Sequence, residues 1–136
     1  MSSRSRAIRR PEQAIQRAVF EHIKQRGVPG LVAWHTPNGA AYGGKRSKKG
    51  VAIQGSIMAG LGVRAGVSDV ICVHRGKIFA MELKAPGGRA TEAQLKFLSD
   101  IDAAGAFTAM PDSLDAALAT LESWGLLRGS SVKTIL

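Results

Sequence analysis

The chain has 136 residues, 45% of them hydrophobic, which suffices for one globular domain with a real core. A single cysteine excludes an intramolecular disulfide and fits a reducing, cytoplasmic setting. No window approaches the roughly 20 apolar residues that a membrane helix needs, and the basic start "MSSRSRAIRRPE" has no apolar run behind it, so it does not read as a secretory signal.

The net charge of +9 is unevenly placed. Residues 1–64 carry twelve Lys/Arg against two Asp/Glu, and residues 65–136 carry seven against eight. Basicity confined to one half favours a polyanionic partner over general solubility.

In chain order, residues 1–10 read as a flexible basic arm. Pro11 suits the first turn of a helix, in which Ile15, Val19 and Ile23 recur at helical spacing until Gly27. Leu31 to Pro37 reads as a short strand. From Asn38 to Gly66 the chain is rich in Gly and Lys/Arg, a long basic connection with a short helix expected around Ser56 to Leu61. "DVICVH" and "KIFAMELK" are two apolar runs joined by Arg75-Gly76, a hairpin signal. Cys72, inside the first run, reads as a small core residue. Thr91 opens a helix with apolar Leu95, Leu98 and Ile101, stopped by Gly105. "AFTAM" is a short strand, and Asp112-Ser113 caps a last helix carrying Leu114, Leu118 and Leu121. The order predicts an α/β fold, a small mixed sheet flanked by helices. The domain is expected over 11–127, with a tail over 128–136.

The second hairpin run ends in charge. Period-two alternation puts Phe79, Met81 and Leu83 on one face and Ile78, Ala80, Glu82 and Lys84 on the other. A two-residue loop at Arg75-Gly76 pairs His74 with Lys77, and each outward step then carries Asp69 opposite Glu82. Directly opposed residues have Cβ atoms only about 5 Å apart. Their carboxylates repel by roughly 1 kcal/mol in water and about 4 kcal/mol at an effective dielectric of 20. A shared proton, the ammonium of Lys84 or a divalent cation would offset this. An all-oxygen donor set suits Mg²⁺ or Mn²⁺ rather than Zn²⁺. The bland alternative is a Glu–Lys pair on a solvated strand end, with Asp69 a turn residue. His22, His35 and His74 have no partner at zinc spacing, and His35 reads as a strand residue.

Asp69 followed by Glu82-Leu83-Lys84 is the D…E-x-K pattern of the PD-(D/E)XK nuclease superfamily. The wider run "GVSDVICVHRGKIFAMELKAPGGRATEAQLKFLSDIDAAG" resembles the VRR-NUC (viral-type replication and repair nuclease) domain. That family typically shows G-V-P-D, an E-L-K followed by Gly and Arg, and a Gln opening a helix. "EQAIQRAVFEHI", Asn38-Gly39 and "GVRAG" extend the resemblance over most of the chain; Ser68 stands where the family commonly has Pro.

The resemblance implies a restriction-endonuclease-like core and a metal-dependent DNA endonuclease, a homodimer acting on branched DNA such as Holliday junctions. Asp69 and Glu82 would be metal ligands, with the Leu83 carbonyl a third and Glu12 a further carboxylate. Lys84 would orient or deprotonate the attacking water, and Gln94 would lie beside the metal. Thr91-Glu92-Ala93-Gln94 is also a capping box, which alone explains Gln94; Glu12 alone reads as a first-turn acid favoured by the helix dipole. Lys45, Arg46, Lys48, Lys49, Arg64 and Arg89, with Arg4, Arg6, Arg9 and Arg10, would track phosphates. The alternatives are a non-catalytic DNA-binding module of the same fold, or a sequence-specific restriction-type endonuclease.

Overall fold

The computed structural model describes residues 3–37 and 56–129. Helix α1 spans Ser3–Arg26, followed by strand β1 (Val32–Trp34). The hairpin strands β2 (Val70–His74) and β3 (Lys77–Met81) lead into helix α2 (Glu92–Ala103), strand β4 (Phe107–Ala109) and helix α3 (Leu114–Ser123). The sheet order is β1-β2-β3-β4, antiparallel until the last pair, which is parallel and connected through α2. This is the small mixed sheet flanked by helices that the element order predicts.

The hairpin turn is the one the sequence signals. Arg75 and Gly76 both have positive φ, 48° and 78°, as a two-residue turn matching the strand twist requires. Gly76 adopts this freely, whereas Arg75 does so at about 1 kcal/mol. The turn fixes the register, from His74↔Lys77 outward to Val70↔Met81.

Each sheet face has its own cover. Phe79, Met81 and Leu83 pack with Val70, Cys72, Val19 of α1 and Leu118 and Leu121 of α3. Each large apolar side chain so buried contributes roughly 1.5–3 kcal/mol. Burial pushes the Cys72 thiol up to about 12, so it is an inert core group. On the other face Ile71 and Ala80 meet Phe97, with Leu98 and Ile101 beside them. Of the expected inward positions Leu98 and Ile101 do pack here, but Leu95 is half exposed and Gln94 and Phe97 are the buried residues of the helix. Spacings of three and seven residues put Gln94, Phe97 and Ile101 on one stripe, and Leu95 falls to its side.

α1 begins earlier than expected, so residues 3–10 are helical backbone rather than an irregular arm, and Pro11 lies inside the helix. The proline removes one intrahelical bond, but Arg and Ala around it are good helix formers. The C-terminal end of α1 is fastened by residues near 127. Gly27 bridges Leu127, the Arg128 N–H donates to the Arg26 carbonyl at 2.7 Å, and Arg26 pairs with Glu122 at 2.7 Å. Arg128 thus belongs to the fold rather than to the expected tail.

Candidate active site

The site lies where β2 and β3 run out. One step beyond Val70↔Met81 the register carries Asp69 opposite Glu82, on the face that α2 covers. The strand end is not frayed. The N–H groups of Glu82 and Lys84 donate to the carbonyls of Ala109 and Pro111, both at 3.0 Å, so the segment after β4 continues the pairing. The Leu83 N–H between them points the other way, to Asp69 Oδ2 at 2.9 Å. Alternating main-chain bonds therefore hold β3's charged end from both sides.

Burial there is extreme for such residues: Glu82 is 1% exposed and Lys84 7%. The Lys84 ammonium donates to Gln94 Oε1 at 2.9 Å and stands 3.6 Å from Glu82 Oε1, which accepts from Gln94 Nε2 at 2.8 Å. Gln94 also forms the cap of α2. Its Oε1 accepts from the Thr91 N–H at 2.9 Å, and its own N–H donates to Thr91 Oγ1 at 3.1 Å. Two donors on Oε1 fix the amide orientation, so Nε2 must face Glu82. Cap and site are one side chain.

Glu82 Oε2 is buried and has no hydrogen-bond partner among the described residues. Burial, then the neighbouring Asp69 carboxylate, push Glu82 up to about 8, against the opposing pull of Lys84. A carboxyl oxygen without a donor, facing a second carboxylate, is satisfied by a shared proton or by a cation. The donor set is oxygen only, which fits Mg²⁺ or Mn²⁺. No group of three or more His, Cys, Asp or Glu side chains comes together among the described residues. Two carboxylates suffice for Mg²⁺, which keeps several waters.

Of the other expected residues, Glu12 comes beside the segment that follows Lys84. Glu12, carried on α1, accepts from the Ala85 N–H at 3.4 Å, and a Cβ added at Gly88 would come within 3.3 Å of its Oε1. Arg64 is engaged within the fold: it pairs with Asp100 at 2.6 Å and lies over the Phe97 ring at 5.2 Å. Arg89 is exposed. Lys45, Arg46, Lys48, Lys49 and the Asn38-Gly39 pair lie outside the described residues.

One contact had no signal in the sequence. The His35 ring Nδ1 lies 2.7 Å from the main-chain carbonyl of Asp69. Only the fold brings these residues together, and a histidine ending a strand carries no mark of a side-chain to main-chain bond.

The fold has a counterpart among solved structures. The chain is similar to a "VRR_NUC domain protein" over 92% of its own length and 97% of the other chain, with a TM-score of 0.64 and 18% identity. No family model matches the sequence. No curated protein matches it either. The likeness shows the VRR-NUC type of restriction-endonuclease-like fold. No helix among the described residues is long and apolar enough to cross a membrane.

Proposed function

We propose that the protein is a metal-dependent endonuclease that hydrolyses phosphodiester bonds in DNA. The observation that carries this is the buried Glu82 Oε2, without a donor among the described residues, in a carboxyl that neighbours Asp69 and a buried ammonium. A stability device would not leave that arrangement: burying a carboxylate without pairing both oxygens is costly. A site built to receive a cation would.

Asp69 and Glu82, with the Leu83 carbonyl, would hold Mg²⁺ or Mn²⁺, and Glu12 would reach it through water. Such a cation lowers the pKa of water and neutralises charge developing on a phosphate. Lys84, fixed by Gln94 Oε1 at 2.9 Å, positions the attacking water and stabilises negative charge on the phosphoryl oxygens. Gln94 keeps that ammonium and the Glu82 carboxylate at a set separation. The basic half of the chain, with Lys45, Arg46, Lys48 and Lys49, and the exposed Arg89 outside it supply sequence-independent phosphate contacts, whereas Arg64 is engaged with Asp100. One small domain has little surface for reading base sequence. That supports shape selectivity, with branched duplex as substrate and a homodimer presenting two sites.

The test is cleavage of supercoiled plasmid in Mg²⁺ or Mn²⁺ by wild type and by Asp69→Asn, followed by duplex, flap, splayed and four-way DNAs. Metal-dependent nicking lost in Asp69→Asn is the expected result. DNA binding without cleavage in either metal would leave a non-catalytic DNA-binding module. Discrete fragments from long DNA would instead identify a sequence-specific enzyme.

A further inference from the structure

Asp69 is gripped at two points. On the β3 side its carboxylate accepts from the Leu83 N–H at 2.9 Å, and on the β1 side its main-chain carbonyl lies 2.7 Å from His35 Nδ1. A carbonyl only accepts, so the ring nitrogen facing it carries the hydrogen. The β1–β2 ladder ends at Trp34↔Ile71. Asp69 thus lies past the last backbone pair, where an imidazole takes over the strand's hydrogen bonding. Neighbouring Ser68 gives no polar support, because its hydroxyl is buried and without a partner among the described residues.

The need for such a grip follows from the geometry. Glu82 is held on both sides, its carboxyl accepting from Gln94 Nε2 and its N–H donating to the Ala109 carbonyl. Asp69 is half-buried and precedes β2, past the last backbone pair with β1, so its orientation depends on the Leu83 N–H and the His35 ring. Among the described residues, His35 does not group with two other ligand-type side chains as a metal site, so it acts on Asp69 through the main chain.

We propose that His35 is a positioning residue: its Nδ1–H pins the Asp69 main chain so that the carboxylate stays turned toward Glu82, presetting the pair for a divalent cation. The inference rests on the assignment of Asp69 and Glu82 as the cation-holding pair. Loss of an orienting partner of this kind weakens metal affinity about 10–100-fold.

The experiment is a set of thermal melts without DNA, titrating Mn²⁺ and Mg²⁺ into wild type, His35→Ala, His35→Asn, His35→Gln and Asp69→Asn. An Asn amide places its N–H near the position of Nδ1, and Gln places it near Nε2. His35→Ala should need about 10-fold more metal or more to reach half of its metal-induced rise in Tm. His35→Asn should titrate like wild type and His35→Gln like His35→Ala. If His35→Ala does not fold, the Asn and Gln variants decide by the same contrast. Wild-type metal response in His35→Ala overturns the proposal, as does rescue by Gln in place of Asn. A wild type that no metal stabilises, indistinguishable from Asp69→Asn, overturns the cation-site assignment itself and the proposal with it.

Discussion

Gln94 donates to Glu82 at 2.8 Å through the same side-chain amide whose oxygen receives both the Thr91 N–H and the Lys84 ammonium. The start of α2 and the charged end of β3 are therefore one hydrogen-bonded unit. Gln94→Ala should lose stability and cleavage together. Two buried bonds to charged groups at roughly 1.5–3 kcal/mol each put the loss at roughly 3–6 kcal/mol. Thr91→Ala removes only the cap, so about 1 kcal/mol should go while turnover stays. Denaturant melts and plasmid cleavage of both variants check the pair.

Glu82 sets a pH dependence. Its folded-state pKa of about 8 lies above its ordinary value of 4.5. Between the two, the unfolded chain has released the proton and the native protein still holds it. Stability of the metal-free protein should therefore be greatest below pH 4.5 as far as this group is concerned, and fall as pH rises through 8. The slope is at most about 1.4 kcal/mol per pH unit. Glu82→Gln should flatten that slope, exceed wild type in stability above pH 8 and lose cleavage. Urea melts across pH with a chelator present measure it; the same slope in both proteins would assign it to another group.

Lys84 is the cation that opposes the upward shift of Glu82. Lys84→Met keeps the packing and removes the charge, so the metal-free protein should lose stability that added Mn²⁺ restores. Cleavage should fall by orders of magnitude while the metal-induced rise in Tm persists. Loss of that rise would make Lys84 part of cation binding rather than of the chemical step.

Gly66 and Gly87 share a φ of +79°, but only Gly66 is crowded. A Cβ there would meet the Ala93 carbonyl carbon and oxygen at 2.3 Å, at the N-terminal turn of α2, whereas a Cβ at Gly87 would meet nothing within 4 Å among the described residues. Gly87→Ala should cost about 1 kcal/mol from conformation alone. Gly66→Ala should cost more, about 3 kcal/mol, and reduce cleavage by displacing Gln94. Similar melting temperatures for the two would disprove the close approach.

Ser68 is fully buried and its hydroxyl has no partner among the described residues. Ser68→Ala removes an unsatisfied polar atom and should be neutral or raise stability by about 1 kcal/mol. A marked loss would mean that a bound water satisfies the hydroxyl.

The sequence carried the central geometry because hairpin pairing is local. A turn at Arg75-Gly76 and period two suffice to bring Asp69 opposite Glu82, and the observed register agrees. The Thr91-to-Gln94 cap was equally legible. The double use of Gln94 and the His35 contact were not, since they depend on how α2 and β1 lie on the sheet. Leu95 misled because hydrophobicity alone cannot choose between neighbouring helix stripes; packing of Phe97 on Ile71 and Ala80 did. Pro11 misled because a helix start is only one of the places where its fixed φ fits.

The main-chain bonds from Glu82 and Lys84 to Ala109 and Pro111 also bear on when the site comes into being. Those acceptors lie beyond α2, so a ribosome must extend the chain past residue 111 before the charged strand end has its neighbour. The hairpin can form early from local contacts, but its ionic tip stays unpaired until the parallel strand arrives, a slower, long-range step. An interrupted or half-translated chain therefore lacks the finished constellation. Whatever chemistry these residues perform, the hairpin alone does not have it.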